Sequence, residues 1–132
     1  MKILICGGRD CDPLQVRDYL NNNIKKIFSD LGLGYYNITI IQGGARGADH
    51  GAKLFADQHS YHMVEFPADW KKYKKAAGPI RNRQMIIEGN PDLIIAFPGG
   101  SGTMNMIKQG RDNNIPVYEI PKRSEDHGKE AD

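Results

Sequence analysis

The chain has 132 residues, of which 39% are hydrophobic and 26% charged, with a formal net charge of +2. That length suits one domain with one core, and the composition argues against intrinsic disorder. No apolar run approaches the ~20 residues of a membrane span, and the apolar start at Met1 to Cys6 is too short for a secretory signal. A soluble, cytoplasmic protein without a membrane partner is expected.

In chain order, residues 2–6 read as a strand whose centre, Ile3-Leu4-Ile5, is continuously apolar. Such runs suit strands covered on both faces, as in a parallel sheet. Gly7-Gly8 follows. Asp12-Pro13-Leu14-Gln15 reads as an N-cap, a proline at the first helical position and a capping-box glutamine. Val16, Leu20, Ile24, Ile27, Phe28 and Leu31 recur at helical spacing, and Gly32 closes the helix. A second strand over 37–42 runs into Gly43-Gly44-Ala45-Arg46-Gly47. Ala48, Ala52, Phe55, Ala56 and His59 mark a second helix, whose small residues permit close packing. A third strand spans 61–66, and the long connection 67–78 reads as a partly flexible lid over the strand ends. A helix over 79–88 and a strand over 92–97 come next, then Pro98-Gly99-Gly100-Ser101-Gly102-Thr103, a helix over 102–113 and a strand over 116–120. This alternation predicts an α/β fold, a Rossmann-like three-layer α/β/α sandwich of about five mostly parallel strands. The domain is expected over residues 1–120, with 121–132 as a polar tail of mixed charge.

No metal or cofactor is expected. The spacing of Cys6 and Cys11 matches no common zinc motif, and His50, His59, His62 and His127 form no HExxH pattern. Cys6 reads as a reduced, buried residue at a strand end, and Cys11 as incidental. Charge is more informative in its distribution. Residues 69–83 hold six basic side chains against Asp69 alone, a local positive field that fits a phosphate-bearing ligand or, equally, a solvated lysine face.

The glycine clusters fall where strands end. Open α/β sheets bind ligands outside their strand C-termini. Helix N-termini there offer unpaired N–H groups and a positive dipole end, and glycine lets a phosphate approach the backbone. A tight turn explains Gly7-Gly8 equally well. Three glycines and two hydroxyls at residues 99–103 exceed what a turn needs and suit an anion nest. There is no GxxxxGK[ST], and the run from Gly100 lacks the last glycine of the dinucleotide fingerprint. An ordinary P-loop NTPase or dehydrogenase is therefore disfavoured.

Pro98-Gly99-Gly100-Ser101-Gly102-Thr103 resembles the PGGxGT motif of the SLOG superfamily, which includes the LOG phosphoribohydrolases, DprA and nucleotide-sensing domains. The closer resemblance is to the YspA-type, YpsA-related SLOG family. Its hallmarks stand in order over residues 1–120: Gly7-Gly8-Arg9-Asp10, Gly43-Gly44-Ala45-Arg46-Gly47-Ala48-Asp49, Pro67-Ala68-Asp69-Trp70, Ala77-Gly78-Pro79-Ile80-Arg81-Asn82 and Phe97-Pro98-Gly99-Gly100 with Gly102-Thr103. The resemblance implies a nucleotide-derived ligand at the strand C-termini. Gly99, Gly100, Gly102 and Thr103 would hold a phosphate, with Pro98 and Ser101 in the same loop. Gly7, Gly8, Arg9, Gly43, Gly44 and Arg46 join them as ligand-binding candidates. Arg81 and Asn82 resemble the polar pair that LOG enzymes place at a helix start facing the ribose-phosphate; Gly78-Pro79 would put Arg81 in the first turn. LOG-type relatives also imply a homodimer, although no heptad or apolar patch in the sequence marks its interface.

The LOG motif continues to a catalytic glutamate, and Met106 holds that position. Hydrolysis would need another carboxylate to stabilise oxocarbenium character, with Asp10, Asp49, Asp69 and Glu88 as candidates. Asp10 and Asp49 lie just past strand ends and are expected to face one crevice. A turn acceptor at Asp10 and helix N-terminal stabilisation at Asp49 explain them as well. Trp70 either stacks on a base or anchors the 67–78 connection. Arg46 either reaches a second phosphate or neutralises Asp49. Three functions follow in order. The first is a nucleotide-binding or sensing module. The second is an N-glycosidase that releases the base from a nucleoside 5′-monophosphate or related nucleotide. The third is a DprA-like DNA-associated protein, disfavoured by the small net charge and by a lack of interleaved aromatic and basic residues.

Overall fold

The computed structural model describes residues 1–34 and 37–122; the rest of the expected tail, from residue 123 onward, lies outside the described residues. The elements are β1 (Lys2–Cys6), α1 (Pro13–Asp30), β2 (Thr39–Gln42), α2 (Ala48–His59), β3 (His62–Glu65), α3 (Trp70–Tyr73), a 3-10 turn (Lys74–Ala76), α4 (Ala77–Ile87), β4 (Leu93–Ala96), α5 (Ser101–Asp112) and β5 (Val117–Glu119). Every strand pair is parallel, and the sheet order is β3-β2-β1-β4-β5. The expected α/β Rossmann-like sandwich is what forms.

Strand periodicity divides the core in two. Ile3, Ile5, Ile40, Leu93 and Ile95 face α1 and α2, where Val16, Leu20, Ile24, Phe28 and Phe55 cover them. Their neighbours Leu4, Cys6, Ile41, Ile94 and Ala96 face Met85 and Ile86 of α4 and Met106 and Ile107 of α5. Because both faces are covered, the centres of β1, β2 and β4 read as nearly unbroken apolar runs. Asp12 caps α1 by accepting from the Leu14 amide at 2.9 Å. The helix closes as predicted, with Gly32 N donating to Ser29 O at 3.1 Å and Leu33 N to Phe28 O at 2.8 Å.

The region before β4 differs from expectation. α4 begins at Ala77, so Pro79 is its third residue and Arg81 its fifth, in the second turn. Proline is tolerated there because the first-turn amides have no intrahelical acceptor to lose. The connection expected to be a partly flexible lid carries α3 and the 3-10 turn. Asp69 caps α3 through the Lys72 amide at 3.1 Å.

Candidate functional site

Strand order reverses between β1 and β4, so their C-terminal ends flank the switch point at which open α/β sheets leave a crevice. Both ends carry glycine loops. Gly8 N donates to Pro98 O at 2.9 Å, and Gly8 O accepts from Ala48 N at 3.1 Å, so the three glycine loops are tied to one another. Two of the glycines are dictated by this contact. A Cβ at Gly47, which has φ +81°, would collide with Gly8 O and Arg9; one at Gly99 would collide with the Thr103 hydroxyl and Gly8 N. Gly100 and Gly102 differ: a Cβ on either would meet nothing within 4 Å. Packing does not require glycine at these two positions. They open the first turn of α5, whose N-cap Gly100 supplies no side-chain acceptor. Donors left unpaired at such a terminus suit an anion.

Two crevices lie along this edge. The first, about 430 Å³, is lined by Gly8, Arg9, Asp10, Gly99 and Gly100, with an apolar wall that includes Val16, Tyr19, Phe97 and Ile120. The second, about 490 Å³, is lined by Arg9, Arg46 and Arg81, the backbone of Gly43-Gly44-Ala45, and Pro67, Ala68 and Trp70. Arg9 lines both. The sequence candidates thus converge on one edge but divide between two spaces.

Arg81 Nη1 donates to Gly43 O at 2.5 Å and its Nε to Asn82 Oδ1 at 3.1 Å. Burial pushes its pKa down, Asp49 opposes that shift, and Arg9 adds to it. Asn82 is 4% exposed. Its Nδ2 donates to Gly102 O at 3.2 Å and to Asn105 Oδ1 at 3.1 Å, so its carboxamide fastens Arg81 and α4 to the start of α5.

The expectation that Asp10 and Asp49 face one crevice is corrected. Asp10 is exposed and lines the first. Asp49 is 7% exposed and lines neither, and its Oδ2 accepts from Ala45 N at 3.1 Å. Burial raises its pKa; the Ala45 amide, Arg81 and the Gly43 amide act against that shift, and Glu65 reinforces it. A carboxylate in the first turn of α2 that bonds the preceding loop is held in place by local geometry. Met106 is 1% exposed in the layer between sheet and helices, so the place of the LOG glutamate points into the core. Glu88 sits beyond the far end of α4.

Trp70 is 47% exposed, and Arg9 lies over its ring at 5.3 Å from the centroid. Lys72 lies over Tyr73 in the same way at 5.1 Å. Trp70-Lys71-Lys72-Tyr73-Lys74-Lys75 therefore presents two exposed aromatics among four lysines, which corrects the expected lack of interleaving.

Sequence reasoning missed Gln42. It is buried at the end of β2, where its Oε1 accepts from Gly44 N at 2.6 Å and its Nε2 donates to Glu65 Oε1 at 2.7 Å. An amide closing an apolar strand just before two glycines was the available signal. Cys6 is buried as expected, which pushes its thiol pKa far up. Cys11 is less incidental than expected: its Sγ donates to Pro98 O at 3.3 Å, on the wall of the first crevice. Among the described residues no cluster of His, Cys, Asp and Glu could hold a metal ion, and no helix is long and apolar enough to cross a membrane.

Residues 1–73 match the family described as the YspA, cpYpsA-related SLOG family. The chain is 35% identical over 124 residues to the Gene 61 protein of Mycobacterium phage D29, covering 88% of this chain and 93% of that protein. Its fold is similar to that of DNA processing protein A (DprA) from Streptococcus pneumoniae, with a TM-score of 0.68 at 19% identity over 93% of this chain. The chain spans about half, 51%, of that protein's length. By a family match over more than half its length, the chain belongs to the YspA, cpYpsA-related SLOG family.

Proposed function

We propose that residues 1–120 form a module that binds or senses a nucleotide or nucleotide-derived phosphate at the C-terminal edge of the sheet. The observation that supports this most is the open first turn of α5. Gly100 and Gly102 leave space that packing does not demand, at the switch point between β1 and β4. A phosphoryl group there would accept from backbone amides and lie within the field of Arg9. The apolar wall of Val16, Tyr19, Phe97 and Ile120 offers a surface for the nucleoside.

Asp10 favours a second reading, because it lines the same crevice as Gly99 and Gly100. A carboxylate beside a bound ribose could stabilise oxocarbenium character during base release. The buried Met106 argues against the LOG arrangement but leaves Asp10 available. The experiment is incubation with a panel of nucleotides, followed by mass spectrometry of retained ligands and released bases. Retained nucleotide without base release is the expected result. Base release that Asp10→Asn abolishes would establish the hydrolase instead. A short single-stranded oligonucleotide belongs in the panel, since the structural neighbour is by name a DNA processing protein and Trp70 and Tyr73 stand exposed among lysines. Preference for the oligonucleotide over every nucleotide would overturn the proposal.

A further inference from the structure

Arg9, Arg46 and Arg81 line the second crevice together. Among the described residues none of the three forms an ion pair, whereas Arg17 and Arg111 pair with Asp18 and Glu119 elsewhere on the surface. Asp49 acts on Arg81 from outside the crevice, but three guanidiniums gathered around one space still repel one another and favour an added anion. Two of them are held in place. Arg9 rests on the Trp70 ring, and Arg81 is fixed by Gly43 O and Asn82 Oδ1 through bonds that leave its Nη2 unused. Asp49, the carboxylate behind Gly43, bonds Ala45 N and does not line the crevice.

The first crevice differs in character. Beside the α5 terminus it sets Asp10 and Asp12 against Arg9 and Lys122, and it has an apolar wall, whereas the second crevice is lined by three arginines and no acid. It suits one phosphoryl group and an uncharged nucleoside. Arg9 lines both spaces.

We propose that the arginine crevice is a second anion subsite, and that the ligand is a nucleotide carrying at least two phosphoryl groups, one on each side of Arg9. This rests on the nucleotide reading above and narrows it. A nucleoside diphosphate and a dinucleotide joined through a diphosphate share the required chemistry.

Calorimetric titration of the full chain with AMP, ADP, GMP, GDP and NAD tests it. At least one probe with two phosphoryl groups should bind about tenfold or more tighter than its monophosphate. A gain with ADP or GDP supports a terminal diphosphate, and a gain confined to NAD supports the bridged form. Arg46→Ala should bring the ratio of the two affinities close to one. Arg46 is an exposed loop side chain, so an unchanged melting temperature will certify that variant's fold. Arg81→Lys, which keeps charge but loses the fork, should lower the ratio as well. Monophosphates binding as tightly as their two-phosphoryl counterparts would overturn the second subsite and leave the nucleotide reading standing. So would a ratio that survives both substitutions. No binding by any probe would overturn both.

Discussion

Replacing Asn82 with alanine removes three hydrogen bonds from a side chain that is 4% exposed. The two donations, to Gly102 O and Asn105 Oδ1, contribute about 0.5–1.5 kcal/mol each, and the bond from the charged Arg81 Nε about 1.5–3. Arg81 is only half-buried, so the lower part of its range applies. The expected loss is about 3 kcal/mol, which in a chain of this length lowers Tm by roughly 9–15 °C. Asn82→Asp keeps an acceptor toward Arg81 but sets a carboxylate against the two oxygens that Nδ2 now serves, so it should not restore stability. Thermal melts followed by circular dichroism, with urea titrations for ΔG, measure both variants. A loss below about 1 kcal/mol for Asn82→Ala would refute the claim that this carboxamide fastens α4 to the start of α5.

Gly102→Ala should leave stability unchanged or raise it by up to about 1 kcal/mol, since the added Cβ meets nothing and alanine suits a helix. It should nevertheless weaken nucleotide binding by crowding the α5 terminus, which paired melts and titrations will read. Met106→Glu should cost about 3 kcal/mol or more by placing a carboxyl group in the core, and should confer no base release in the nucleotide assay. Asp49 has a pKa raised above 3.8 by burial, so the folded state holds its proton more tightly than the unfolded state does. Its contribution to stability is greatest below the unfolded value and is lost as pH rises through the folded one. Asp49→Asn lacks that titration, so its stability relative to the parent should improve as pH rises from about 4 toward neutrality in urea unfolding.

Much of the fold was legible because the physics is local. Short β-like runs, nearly continuously apolar in β1, β2 and β4, marked all five strands to within two residues at each end, and Asp12 with Gly32 marked both ends of α1. The start of α4 was not legible. Pro79 looks like a first helical residue, yet any first-turn position spares its missing N–H, so sequence could not choose among them. The glycine loops were found, but their division into two crevices was not, because it depends on which way Arg81 turns from the second turn of α4. That direction is set by Gly43 O and Asn82, partners 38 and one residue away. Asp49 likewise reads as a free carboxylate in sequence and becomes a buried loop fastener only when Ala45 N is brought to it.

The proposed phosphate-bearing nucleotide would sit at the switch point between β1 and β4. Backbone amide shifts of the isotope-labelled protein, followed during titration with the nucleotide panel, test this placement most directly. Saturable shifts should concentrate at Gly8, Arg9 and residues 99–103. The absence of saturable shifts with every nucleotide, or shifts confined to the opposite edge of the sheet, would contradict it.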